Sequence, residues 1–296
     1  MSLAEGPPEL PYPKLPFRET VGLAYSTYFS HFTDALRASW LWLVVAAAFT
    51  AVASWQQWSW MARAVANLKP GAPPQMPKST ELAVLLNLDN IFLLLAGVSI
   101  AVAWHRLMIL NEQPRFSGSN ILTKDLWRYI VVAITLFLIF VLPVAAVVLP
   151  TLYFLQPASG SAPPAGFFAL ILLGFAVYAV GAAIAFRLTL LLPARAIGNT
   201  DLTFRQTWTR TRGNIWRLFW GIVATTTPPL LIGEIIFLVG FGLPRPGMAA
   251  GDDFVAQMTA VSTVFTVYYL LIVPIGIGFL SHAYRHFFQG GLPPTE

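Results

Sequence analysis

Apolar residues run in six long blocks along this chain, near 39–55, 84–105, 127–149, 166–187, 217–241 and 258–282, with shorter polar stretches between them. A helix that crosses a hydrocarbon core of about 30 Å needs about 20 such residues, so each block predicts a membrane span. The first block is the shortest and borrows residues from the amphipathic run before it. The expected fold class is all-α, a polytopic membrane protein with six transmembrane helices and additional interfacial amphipathic helices.

Composition strengthens this picture. The 296 residues are 56% hydrophobic and 10% charged, whereas a soluble domain carries roughly 25% charged residues. With a mean hydropathy of +0.66, the chain could not cover itself with polar surface in water. Its formal net charge of +5 would point to acidic partners in a soluble protein; in a membrane the side bearing the positives matters more. The absence of cysteine removes disulfides, thiolate metal sites and cysteine nucleophiles. The beginning, MSLAEGPPELPYPKLPFRET, has prolines and acids but no apolar segment of signal-peptide type, and reads as an extended tail. The expected organisation is a Pro-rich tail at 1–16, one transmembrane domain at 17–289 and a short tail at 290–296.

Charge sets the orientation. Four of the 18 Lys and Arg residues (Arg63, Lys69, Lys78 and Arg245) fall in one alternate set of loops, and the other fourteen lie at or beyond the opposite span ends. The positive-inside rule then places both termini in the cytoplasm. The external segments fit: 157–166 is a short uncharged turn-former, 242–253 ends in Asp252 and Asp253, and 54–68 groups three Trp as an interfacial helix.

The starts of spans 1, 3 and 5 resemble one another (ALRASWLWLVV, DLWRYIVV, NIWRLFWGIV), with Arg37, Arg128 and Arg217 spaced 91 and 89 residues apart. The ends of spans 2, 4 and 6 match similarly around Arg106, Arg187 and Arg285. Three parallel repeats of a helix pair (17–110, 117–197 and 202–289) would account for this. So would the ordinary preference of membrane boundaries for Trp and Arg.

Span 5 contains ATTTPPLLIGE, and its Pro228 falls 11 residues after Arg217, about 16 Å along a helix and close to the midplane. Thr225, Thr226, Thr227, Pro228 and Pro229, with Pro274 at matching depth in span 6 and Glu234 farther out, could line a midplane cavity at a broken helix. The same residues could equally form kinks repaired by threonine back-bonding. Asp89 lies near the outer end of span 2. His282 and His286 are one helical turn apart but lack the third ligand that a metal site requires. No metal or cofactor is expected, and no protease, P-loop, nucleophile-elbow or dinucleotide motif occurs.

The most basic and aromatic stretch is TWTRTRGNIWRLFW at 207–220. Phe204, Trp208, Thr211, Ile215 and Phe219 share one helical stripe, with Arg205 and Arg212 along its border and Arg210 and Arg217 farther round. The pattern suits a helix lying in anionic headgroups, with Gly213-Asn214 turning the chain into span 5. Trp208 and Trp216, with Arg205, Arg210, Arg212 and Arg217, are therefore the candidate lipid-interface residues. Nucleic acid is not expected as a partner, since these aromatics are needed at the membrane boundary.

The junction RLTLLLPARAIGNTDLTFRQTWTRTRGNIWRLF (187–219), through Arg187, Pro193, Trp208, Arg210, Arg212 and Asn214, resembles bacterial six-span membrane proteins. It looks most like the membrane domain fused to some glycerophosphoryl diester phosphodiesterases. That resemblance implies a bacterial inner-membrane location but no hydrolase activity, because the catalytic barrel is absent from this chain. The expected function is that of a non-catalytic module contacting anionic lipid and other envelope proteins, in a scaffolding, regulatory or assembly role. The alternatives are a transporter or lipid-handling protein with a midplane cavity, and an enzyme acting on lipid at the interface.

Overall fold

The structure, a computed structural model, describes residues 13–66, 80–114, 123–154, 167–241 and 251–290. Within them lie nine helices and no strand: α1 (Phe17–Ser30), α2 (Phe32–Ala66), α3 (Thr80–Leu110), α4 (Lys124–Phe154), α5 (Phe167–Leu188), α6 (Leu191–Ala196), α7 (Phe204–Arg210), α8 (Ile215–Phe241) and α9 (Asp252–Phe288). Six of them, α2, α3, α4, α5, α8 and α9, are long and apolar enough to cross a membrane. The tail before residue 13, residues 67–68 of the Trp-rich segment, and the turns at 157–166 and 242–250 lie outside the described residues.

The spans pack as three hairpins, α2–α3, α4–α5 and α8–α9, and α9 is the axis on which α2, α3, α8 and α1 converge. Trp104, Ile100, Phe279 and Tyr284 are fully buried around it. The α4–α5 hairpin packs closely upon itself, and a methyl group added at Gly181 would lie 3.6 Å from the Phe140 carbonyl oxygen. It meets the other hairpins where α4 touches α3 and α5 touches α8, and through α6, which touches α3 and α9. Elsewhere it exposes Phe137, Leu142, Leu172, Phe175 and Val180, an apolar surface suited to lipid and unsuited to water.

Two expectations change. The Trp-rich stretch from residue 54 to Ala66 is not a separate interfacial helix but the continuation of α2, which runs unbroken for 35 residues. That is about 52 Å, well beyond a hydrocarbon core, so α2 must tilt or project. The extension is held by α9: the Trp58 indole N–H donates to Ser262 Oγ at 3.3 Å, and its ring meets Phe254 edge-on. Earlier along α2, Thr50 Oγ1 donates to Asp89 at 2.9 Å, which gives that carboxylate a partner on α2.

The second change concerns the prolines. Helix α8 is continuous through Pro228 and Pro229, as α9 is through Pro274. A proline at position i leaves the carbonyl at i−4 without its helical donor. For Pro228 that carbonyl belongs to Ala224, and the Tyr25 hydroxyl of α1 donates to it at 2.8 Å. The Tyr28 hydroxyl donates to the Leu271 carbonyl at 3.0 Å, beside Leu270, whose own donor Pro274 removes. Burial pushes both phenols above the usual tyrosine range, helped at Tyr28 by neighbouring Tyr268, so both keep the proton they donate. Helix α1 therefore patches the carbonyl freed by Pro228 and docks one residue away from the one freed by Pro274. Its apolar side joins the core through Leu15, Ala24 and Tyr28.

Candidate functional site: the basic end

The chain reaches this end through short elements with strong local signals. Gly198 turns with φ +78° beside Asp125. Asn199 then accepts the Asp201 and Leu202 backbone N–H groups and donates to Tyr284 Oη at 3.1 Å. Thr203 and Gln206 form a reciprocal capping box that starts α7. After one further turn Gly213, at φ +75°, reverses the chain and Asn214 opens α8. A single stripe from Phe204 to Phe219 thus does not form, because this turn splits it. Phe204 and Trp208 are exposed, while Thr207 and Thr211 face the protein and are fully buried.

The candidate arginines divide into two groups. Arg210 donates to the Phe287 carbonyl at 3.0 Å and Arg217 to the Leu15 carbonyl at 2.6 Å. Both are committed to holding protein backbone. Arg205 and Arg212 are exposed, and among the described residues their guanidinium groups have no hydrogen-bonded or ion-pair partner. Trp208 lies under Arg187, whose guanidinium carbon is 3.5 Å from the ring centre. Arg187 also donates to the Trp208 carbonyl and to Thr211 Oγ1. Trp216 is widely exposed.

Three buried or half-buried junctions tie the hairpins together here. Asp34, Asp125 and Asn214 stand three residues before Arg37, Arg128 and Arg217, at the same 91- and 89-residue spacings. The sequence singles out the arginines and Asn214, but Asp34 and Asp125 went unnoticed, although the spacing carried the signal. Asp34 pairs with Arg37 and His31. Asp125 receives Arg128 at 3.2 Å and Arg106 at 3.1 Å, while Arg106 also grips Glu112 and the Ala196 carbonyl. Asn214 is buried; its Oδ1 accepts the Leu15 N–H at 2.9 Å and its amide donates to Pro13 and Arg212 carbonyls.

Between α1 and the start of α8 lies a groove of about 890 Å³, open on one side. Arg18, Glu19 and Arg217 stand at its polar end, Trp216 and Trp220 flank it, and Val223 and Ala224 continue it along α8. Arg18 and Trp220 were not foreseen, because the groove exists only once α1 lies across α8.

The residues expected around the midplane are not gathered on one surface. Thr225 and Pro229 are buried toward the protein, and Pro274 is buried on α9. Thr227, Pro228 and Glu234 are exposed on the other side of α8. The Thr225 and Thr226 hydroxyls donate to carbonyls one turn back, at Gly221 and Ile222. The Pro229 carbonyl accepts from Tyr268 Oη. Among the described residues, no three His, Asp or Glu side chains come together as metal ligands.

An all-helical bundle with six apolar crossing helices defines a multi-pass membrane protein. Compared with family models, characterised proteins and solved structures, the chain finds no match.

Proposed function

We propose that this chain is a non-catalytic module of a bacterial plasma membrane, with both termini and its basic end in the cytoplasm, that seats anionic lipid and so anchors or helps assemble other envelope components. The observation that carries the reading is the α1–α8 groove. It offers Arg18, with the spare donors of Arg217 beyond its bond to the Leu15 carbonyl, against one carboxylate, with indoles at the boundary and an apolar wall continuing along α8. Tryptophan and arginine in this order match the layering of a bilayer interface. The unpartnered Arg205 and Arg212 extend the positive surface, each contributing about 1 kcal/mol toward an anionic leaflet.

Native mass spectrometry of the purified protein, equilibrated with equal phosphatidylglycerol and phosphatidylcholine, tests this. Wild type should retain phosphatidylglycerol preferentially, and Arg18→Gln/Trp216→Ala should lose most of that preference. Arg205→Gln/Arg212→Gln should weaken it less, in a manner that added salt also reproduces. Arg210→Gln should keep the lipid yet melt earlier, since it releases the Phe287 carbonyl. Undiminished retention by Arg18→Gln/Trp216→Ala would sink the reading.

A further inference from the structure

The three arginines that end the returning spans are treated differently. Arg106 is clamped by two carboxylates and Arg187 by an indole face, a hydroxyl and a carbonyl. Arg285 makes one bond, to the Met108 carbonyl at 3.3 Å, and among the described residues it has no acidic partner. It opens instead onto a second pocket of about 370 Å³ between α1, α3 and α9. This pocket shares no residue with the α1–α8 groove.

Its walls are mainly polar. Thr27, His31, Asn111 and His282 line it together with Arg285. Their geometry is pre-set: Thr27 Oγ1 and His282 Nε2 are 3.2 Å apart, and His31 Nδ1 lies 3.1 Å from Asp34. Asn111 is held at φ +55° just past the end of α3, a left-handed conformation that Asn tolerates better than most residues. No acid lines the pocket among the described residues; Asp34 is engaged by His31 and Arg37, and Glu112, which follows Asn111, by Arg106. What remains is a guanidinium fork with donors to spare, surrounded by imidazoles, an amide and a hydroxyl. Such a fork fits an oxyanion with two coplanar acceptor oxygens.

We propose that this pocket is a phosphate site, with Arg285 as its principal ligand, Asn111 and Thr27 completing the donor set, and His31, whose Nδ1–H is taken by Asp34, adding its Nε2–H when it is an imidazolium. The phosphate is carried either by a soluble ion or by the headgroup of a phosphomonoester lipid. At the end of the last returning span a bound anion then does for Arg285 what Glu112 and Asp125 do for Arg106 at the end of the first.

The test uses the full chain purified in an uncharged detergent. Inorganic phosphate should show a broadened 31P line that excess phosphate narrows, and should raise the melting temperature saturably. Short-chain phosphatidic acid is tested in parallel against the matching phosphatidylcholine. Arg285→Gln should weaken the response about tenfold, the loss expected for one charge-assisted hydrogen bond. Arg285→Lys should retain part of it, as a point charge without the fork. His31→Gln, a change at a half-exposed position, gives a second reading should Arg285→Gln fold poorly, and should weaken binding several-fold.

Response to inorganic phosphate assigns a soluble anion, and response to phosphatidic acid alone assigns a headgroup; either supports the site if the Arg285 or His31 variants weaken it. A response lost in Arg18→Gln/Trp216→Ala but unchanged in the Arg285 and His31 variants would place the ligand in the groove and overturn the proposal. No response of wild type to either probe would overturn it as well.

Discussion

Replacing Gly221 by alanine is expected to lower the melting temperature of the detergent-solubilised protein by a few degrees. A methyl group at this position would run into the tip of the Phe279 ring, and Phe279 has no exposure through which to retreat. Overpacking of a close-packed core costs about 1–3 kcal/mol, and each kcal/mol shifts a domain of this size by a few degrees. The intrinsic helix preference of alanine over glycine opposes this by only about 1 kcal/mol. Gly97 supplies the control, since a methyl group there meets nothing within 4 Å; Gly97→Ala should be neutral or slightly stabilising. The combination Gly221→Ala/Phe279→Leu should recover part of the loss. If Gly221→Ala melts with wild type, α8 and α9 do not approach as described.

Tyr25→Phe is expected to cost about 1–2 kcal/mol, and to cost almost nothing when Pro228 has first been changed to alanine. Interhelical hydrogen bonds in membranes average only about 0.6 kcal/mol, because the alternative state finds other partners. Here the lost donor leaves the Ala224 carbonyl without its helical N–H as well, and a polar group stranded in apolar surroundings costs about 1–3 kcal/mol. Pro228→Ala restores that N–H within α8, and the exposed position of residue 228 leaves room for the change. The double-mutant cycle on unfolding in mixed micelles should therefore show coupling of about 1 kcal/mol or more. Equal losses in both backgrounds would mean that Tyr25 serves some other purpose.

These two cases also mark where reading the chain succeeds. Six spans, their order and the basic boundary are properties of local composition, and the apolar blocks at 84–105 and 217–241 predict α3 and α8 well. That Pro228 strips the Ala224 carbonyl of its donor is legible too. Which group replaces the donor is not, since Tyr25 stands 199 residues away. The alternative of a midplane cavity at the fifth span treats the freed carbonyl as available for a ligand, whereas the fold supplies a phenol. Likewise Arg210 and Arg212 look alike in sequence, yet one holds the Phe287 carbonyl and the other faces outward. The α2 extension shows the reverse error: its tryptophans were assigned to the headgroup layer because of their type, and α9 claims Trp58.

The long reach of α1 has a consequence for biosynthesis. This helix leaves the ribosome before every span, but the groups it joins arrive last. Asn214 follows Leu15 by 199 residues, Leu271 follows Tyr28 by 243, and His282 follows Thr27 by 255. At about 5–20 residues per second, α1 waits on the order of ten seconds or more, its tyrosines unpaired, while the translocon handles five further spans. Seating α1 is thus a closing step of maturation. A chain halted before α9 would carry an undocked α1, a feature by which quality-control proteases would distinguish an unfinished copy from a completed one.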